Sequence, residues 1–131
     1  MSTPFDPEAS LIYLSASVSG PEGLTDVVLD LVLALDTGAS STLLSWTLLR
    51  RLGYTASTNS ESVEVTTGSG IERALEITVS HLAALEQERA NFVVIAHDLP
   101  ASAGIDGVLG LDFFRGQYLN IDFRNGLITL T

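Results

Sequence analysis

Asp36-Thr37-Gly38-Ala39-Ser40-Ser41 directly follows a run of Val and Leu residues whose one interruption is Asp30. A carboxylate at the end of a buried strand, on a glycine-containing turn, is expected to be held rigidly and partly desolvated. That raises the cost of ionising it, and functional aspartates are often placed this way. Asp, Thr and Gly are also ordinary turn residues, so simple turn capping is the second reading of Asp36. Spacing narrows the chemistry. Phosphoryl transfer through a nucleophilic aspartate usually wants a second acid two residues on, and position 38 is glycine. A glycine-and-hydroxyl phosphate loop of the kind that closes on ATP needs two large lobes, which 131 residues do not supply. A third chemistry remains: paired carboxylates that share one proton and activate a water.

The other polar candidates are weaker. His81 and His97 fall on different segments with no neighbouring ligand pattern, so no metal site is expected. Asp98, Asp106, Asp112 and Asp122 lack the alternating spacing of a calcium loop and are expected on the surface or in turns. Gly68-Ser69-Gly70 lacks the lysine and further glycine of a phosphate loop and suits a hairpin tip better. Ser40 and Ser41 have no local histidine, and a serine nucleophile would need one brought by the fold. With no cysteine, the chain has no disulfide framework, thiolate zinc site, iron–sulfur cluster or cysteine nucleophile. Sixteen acidic residues against six basic ones, a formal charge of −10, would repel nucleic-acid phosphates.

These residues need a scaffold, and composition supports one. Hydrophobic residues make up 46% of the chain and charged residues 17%, which is enough apolar content for a core and argues against disorder. The length suits one domain, expected over residues 11–131, with 1–10 as a loose lead-in carrying two prolines. Residues 11–18 and 25–35 read as strands around a Ser19–Gly23 turn. Residues 43–52 carry apolar side chains at helical spacing, with Ser45 as N-cap and Gly53 just past the end. Residues 60–67 and 71–79 read as a hairpin about Gly68-Ser69-Gly70, and 91–96 as a short strand. Gly107-Val108-Leu109-Gly110 leads into a one-to-two-turn helix at 111–116, and 118–123 with 127–130 form a last hairpin. Trp46, Phe113 and Phe114 are expected in core or interface packing. The pattern is mostly β with two short helices. An apolar strand ending in a glycine turn occurs at 33–38 and again at 107–110, which suggests a weak internal duplication. The N-terminus has no basic or apolar signal region, and the longest apolar run, residues 27–35, falls short of the roughly 20 residues that cross a bilayer. No membrane association is expected, and a cytoplasmic location is.

Taken in order and spacing, Asp36-Thr37-Gly38-Ala39-Ser40-Ser41, the Gly68-Ser69-Gly70 hairpin, and Val108-Leu109-Gly110 with its following helix resemble the retropepsin-like aspartic peptidases, particularly the single-domain bacterial ones. The ending from Gly104 through Phe114 and on to Leu130 looks like the same group. The resemblance covers about residues 11–131. It implies an all-β closed barrel of the acid protease type, one lobe per chain, with the triad in a psi-shaped loop. It further implies that Asp36 is the catalytic carboxylate, that Thr37 hydrogen-bonds across a partner's loop, and that Gly38 lets substrate backbone approach. Ala39 and Ser40 would line the cleft, Thr67, Gly68, Ser69, Gly70 and Ile71 would form the flap, and Val108, Leu109 and Gly110 would brace the active-site loop. No cofactor and no metal are implied.

The chain departs from the viral pattern at two points. The arginine that often follows the second glycine element is replaced by Leu111 and Asp112, and the acid it commonly pairs with is Ser40, so the loop must be braced differently. The chain also has one Asp-Thr-Gly where the mechanism needs two carboxylates, so the second is expected from another copy in a two-fold homodimer acting on polypeptide. The alternative expectation is a retropepsin-like dimerisation or peptide-binding module that cleaves little or nothing.

Overall fold

The computed structural model describes residues 1–56, 62–67 and 70–131. Its centre is a closed barrel built from six strands. Strand β2 (Tyr13–Ser19) alternates buried Leu14, Ala16 and Val18 with outward positions, and pairs antiparallel with β3 (Val28–Leu35), which buries Leu31 and Leu33. Alternation of this kind gives one face to the core and one to water. Strand β8 (Gly107–Leu109) lies parallel to the end of β3, and the short β4 (Leu43–Leu44) joins β8 to β7 (Gln87–Ala96). Strand β6 (Gly70–Ala84) pairs along β7 and closes the ring by returning to β2 at Ala16–Val18. Outside the ring, β5 (Ser62–Thr67) pairs only with the first part of β6.

Where β2 and β6 part, a side chain continues the seam. The buried Tyr54 hydroxyl donates to the Ser19 carbonyl at 2.6 Å and accepts from the Ser80 N–H at 2.9 Å, satisfying one backbone group from each strand beyond their ladder. Tyr54 follows α1 (Trp46–Leu52), whose N-cap Ser45 accepts from the Leu48 N–H and whose C-cap Gly53 is left-handed at φ 108°, as the sequence predicts. The helix starts later than expected, because Leu43 and Leu44 are recruited as strand β4. The N-cap oxygen also donates onward: Ser45 Oγ and Thr47 Oγ1 and N–H all donate to Asp98, at 2.9–3.1 Å.

Two further sequence expectations are corrected. Residues 80–90, not assigned to a strand, complete a long β6–β7 hairpin that turns on Leu85 and Glu86, both at positive φ (53° and 61°) without any glycine or asparagine. Leu85 is buried, and that burial offsets the cost of left-handed backbone. Within the expected loose lead-in, β1 (Ser2–Pro4) pairs with β10 (Leu127–Leu130), which pairs with β9 (Leu119–Asp122), making a second, three-stranded sheet. Phe5 secures it by an edge-to-face contact with Phe123 at 5.5 Å and an N–H bond to the Gly126 carbonyl. Asp106 lies at a bend in the loop before β8, within the expected surface or turn setting, and clips that loop to β3: it accepts from the Val32 N–H at 2.8 Å while its own N–H donates to the Val32 carbonyl.

Asp122 does sit in a turn, accepting from the Arg124 and Asn125 N–H groups. Phe113 and Phe114 are core residues, and Trp46 packs partly buried against the core with the Arg50 guanidinium over its ring, matching expectation. Among the described residues, no helix is long and apolar enough to cross a membrane.

Candidate active site

Strand β3 delivers its last residues into the parallel register Leu33–Gly107, Ala34–Val108 and Leu35–Leu109. The two glycine-turn segments noted in the sequence therefore run side by side. Gly107 is required there, since a Cβ on it would lie 2.0 Å from the Leu43 carbonyl oxygen. Just past the strand ends, the chain from Asp36 to Thr42 loops out and is tied repeatedly to the stretch 109–112. The Asp36 N–H donates to the Leu109 carbonyl at 2.9 Å, the Leu111 N–H to the Ala39 carbonyl at 2.8 Å, and the Gly110 N–H to Thr42 Oγ1 at 3.1 Å. The loop lies so close to Gly110 that a Cβ there would fall 2.7 Å from the Ser41 carbonyl.

Within the loop, Gly38 donates its N–H to Asp36 Oδ1 at 2.9 Å, and the Ala39 N–H donates to the Asp36 carbonyl. One carboxylate oxygen is thus oriented by its own turn. Asp36, Thr37, Gly38 and Ser40 are exposed in the single chain, and Ala39 is half-buried. This corrects the expectation that Asp36 is partly desolvated: in one chain its carboxyl faces outward. A groove of about 520 Å³ between β1, β2 and the β6–β7 turn, reached by Ser2, Ser17, Asp30 and Glu86, contains none of the motif's residues.

The structure thus brings Asp36, Thr37, Gly38, Ala39 and Ser40 together with Val108, Leu109 and Gly110. The β5–β6 arm is placed by its own strand pairing. Gly70 and Ile71 open β6 opposite Thr67 and Thr66, and Ile71 is 70% exposed. Among the described residues, 71–74 pair with β5 and not with β7, so the hairpin extends beyond the β6–β7 pairing as a two-stranded arm. Gly68, Ser69 and the side chain of Thr67 lie outside the described residues.

Sequence reasoning missed Thr42 and misplaced Asp112. Thr42 is the one buried polar residue among those described, at 0% exposure. Its N–H donates to both Asp112 oxygens, at 3.0 and 2.9 Å, and its hydroxyl donates to Asp112 Oδ1 at 2.7 Å. Asp112, expected on the surface or in a turn, lies instead in a part-buried bond network on α2 (Leu111–Phe114). That helix is anchored by Arg89 of β7, which donates to the Phe113 carbonyl at 2.8 Å and to the Gln117 side-chain oxygen, with its guanidinium 4.5 Å from the Phe113 ring centroid. The loop is thus braced by an acid on the helix bonding Thr42, and the helix separately by an arginine of the barrel.

The remaining polar candidates lie elsewhere. His97 Nε2 is 2.6 Å from Glu72 Oε2, and His81 faces Glu88 at 3.5 Å, so both histidines are engaged away from Ser40 and Ser41. Among the described residues, no three His, Asp or Glu side chains converge as metal ligands would. Asp98 is held below the usual carboxylate range, chiefly by the Thr47 N–H bond, and it serves α1 rather than the Asp36 loop.

The profile of the aspartyl protease family matches residues 15–113, from β2 through the Asp36 loop to α2. The chain belongs to that family. Its aspartyl protease fold is similar to the crystal structure of a retropepsin-like aspartic protease from Rickettsia conorii, with a TM-score of 0.68 and 19% identity over 99% of this chain and 90% of that one. The likeness establishes a retropepsin-like fold. No curated protein matches this aspartyl protease chain.

Proposed function

We propose that two copies of this chain form a homodimeric aspartic endopeptidase with one active site on the two-fold axis. The observation that carries this reading is the display of the chain's single Asp-Thr-Gly on an exposed loop whose backbone is tied to residues 109–112. A lone exposed carboxylate is half of a site, and an isologous pairing supplies the other half from the same patch. Two carboxylates brought into contact hold one proton between them, because adjacent like charges cannot both ionise cheaply.

The ionised Asp36 takes a proton from a water whose oxygen attacks the scissile carbonyl carbon, while the protonated Asp36 of the second copy hydrogen-bonds the carbonyl oxygen. The tetrahedral intermediate then collapses as the proton that Asp36 took from the water passes to the amide nitrogen, the C–N bond breaks, the amine leaves, and the pair again holds one proton. Thr37 bonds across to the partner's loop, and Gly38 leaves room for substrate backbone. Ala39 and Ser40 line the cleft. Residues Thr67, Gly68, Ser69, Gly70 and Ile71 act as a flap over a polypeptide bound extended, through main-chain hydrogen bonds. Val108, Leu109 and Gly110 brace the loop.

The test is cleavage of a diverse peptide mixture, read by mass spectrometry from mildly acidic to neutral pH, with Asp36→Asn alongside at a concentration where both are dimeric. Cuts made by the parent and missing from the variant support the reading. Equal cutting by both removes Asp36 from the mechanism, and silence from a dimeric parent favours a peptide-binding module.

A further inference from the structure

Asp36 can act reproducibly only if the loop that carries it returns to the barrel along one path. Its outgoing end is fixed by the Asp36 N–H bond to Leu109, an ordinary backbone contact next to a strand ladder. Its returning end is fixed differently. Thr42 is wholly buried, and its hydroxyl is fully used: it donates to Asp112 and accepts from the Gly110 N–H. The Thr42 N–H is a second donor to the same carboxylate, shared between both oxygens. The Thr42 carbonyl meanwhile accepts from the Ile95 N–H of β7, so the residue joins loop, helix and barrel.

We infer that Asp112 and Thr42 are positioning residues for the Asp36 loop, an inference that rests on the peptidase reading for its catalytic consequence. The carboxylate fixes the hydroxyl rotor, the oriented hydroxyl receives the Gly110 N–H, and Gly110 in turn sits against Ser41 with no space for a side chain. Charge-assisted bonds from one carboxylate to both a backbone and a side-chain donor are stronger and more directional than neutral ones. Helix α2 has four residues and cannot hold its own orientation, so the Arg89 bond to the Phe113 carbonyl, next to Asp112, helps set where Asp112 stands. A displacement of the loop by about 1 Å would cost about 100-fold in rate, with little effect on peptide contacts made elsewhere in the cleft.

The experiment compares Thr42→Val, Thr42→Ser and Asp112→Asn with the parent by peptide cleavage kinetics and by amide hydrogen exchange of the folded dimer. Tyr54→Phe serves as a control that loosens the barrel seam away from the loop. Thr42→Val removes both hydroxyl bonds at nearly constant volume; Thr42→Ser keeps them; Asp112→Asn keeps one acceptor oxygen and loses the charge. The expected result is a kcat lowered about 10- to 100-fold in Thr42→Val and less in Asp112→Asn, with KM within about threefold, and most of the rate regained in Thr42→Ser. Exchange should rise at residues 36–42 and 110 in the impaired variants, while Tyr54→Phe lowers thermal stability with unchanged kcat. Thr42→Val cutting at the parental rate would overturn the inference, as would a uniform rise of exchange across the barrel. If the parent itself does not cut, the peptidase reading fails, and the exchange pattern alone then upholds or overturns the brace.

Discussion

At the residue scale, the backbone decides more than the side chains do. Asp36 is oriented by the Gly38 N–H, and the loop around it depends on Gly110 lacking a Cβ. Gly110→Ala should therefore destabilise the chain by about 2 kcal/mol or more, since the atoms it meets are the Ser41 backbone rather than a side chain that can swing away. Chemical denaturation measures this directly, and a change below a few tenths of a kcal/mol would mean that the loop relaxes without cost. Tyr54→Phe leaves the Ser19 carbonyl and the Ser80 N–H without their recorded partner, an expected loss of about 1–3 kcal/mol by the same measurement. The Asp-Thr-Gly was legible because its turn chemistry is local, with Gly38 bonding Asp36 two residues back, whereas Gly107 and Gly110, which meet Leu43 and Ser41 far away in the chain, were legible through the family resemblance. Thr42 and Asp112 were not, because they stand 70 residues apart and neither type nor spacing says that they meet.

At the element scale, most strands follow from alternation and α1 from its Ser45 and Gly53 caps, and the errors fall where a distant partner overrides local preference. Leu43 and Leu44 have helical spacing with the residues after them, yet pairing with Val108 and Gly107 on one side and with Ile95 and Ala96 on the other makes them strand. The Leu85–Glu86 turn carried no turn residue to read, and it forms because Leu85 is pulled into the core. Glu86→Asn, which tolerates the left-handed backbone better, should stabilise by about 0.5–1 kcal/mol, seen as a raised melting temperature. A fall would show that the Glu86 side chain contributes more than its backbone costs.

Asp98 caps α1 from across the fold. Its folded-state pKa lies below its ordinary value, so the folded state favours the carboxylate. Its contribution is present above the unfolded value and is lost as pH falls through the folded one. Asp98→Ala should therefore be less stable than the parent at neutral pH, with the gap closing as pH falls below about 4, where an ordinary aspartate protonates. A gap independent of pH would assign the effect to packing instead.

At the scale of the whole molecule, the second sheet was the least legible part. Ser2–Pro4 looks like a loose lead because its partner, β10, lies at the other end of the chain. The barrel itself was legible as a class, through the family resemblance carried by the Asp36 and Gly107–Gly110 segments. The central claim is that two chains build one site. Loss of the shared proton should lower the rate as pH rises, which a pH–rate profile checks; a rate still climbing well above neutrality would contradict a carboxylate pair.

The most direct test mixes the parent with Asp36→Asn at fixed total concentration, after subunit exchange. If each site needs Asp36 from both copies, activity follows the square of the parent fraction, and an equal mixture retains about one quarter of the parental rate. Activity proportional to the parent fraction, with about one half retained, would mean that each chain works alone and that the shared site does not exist.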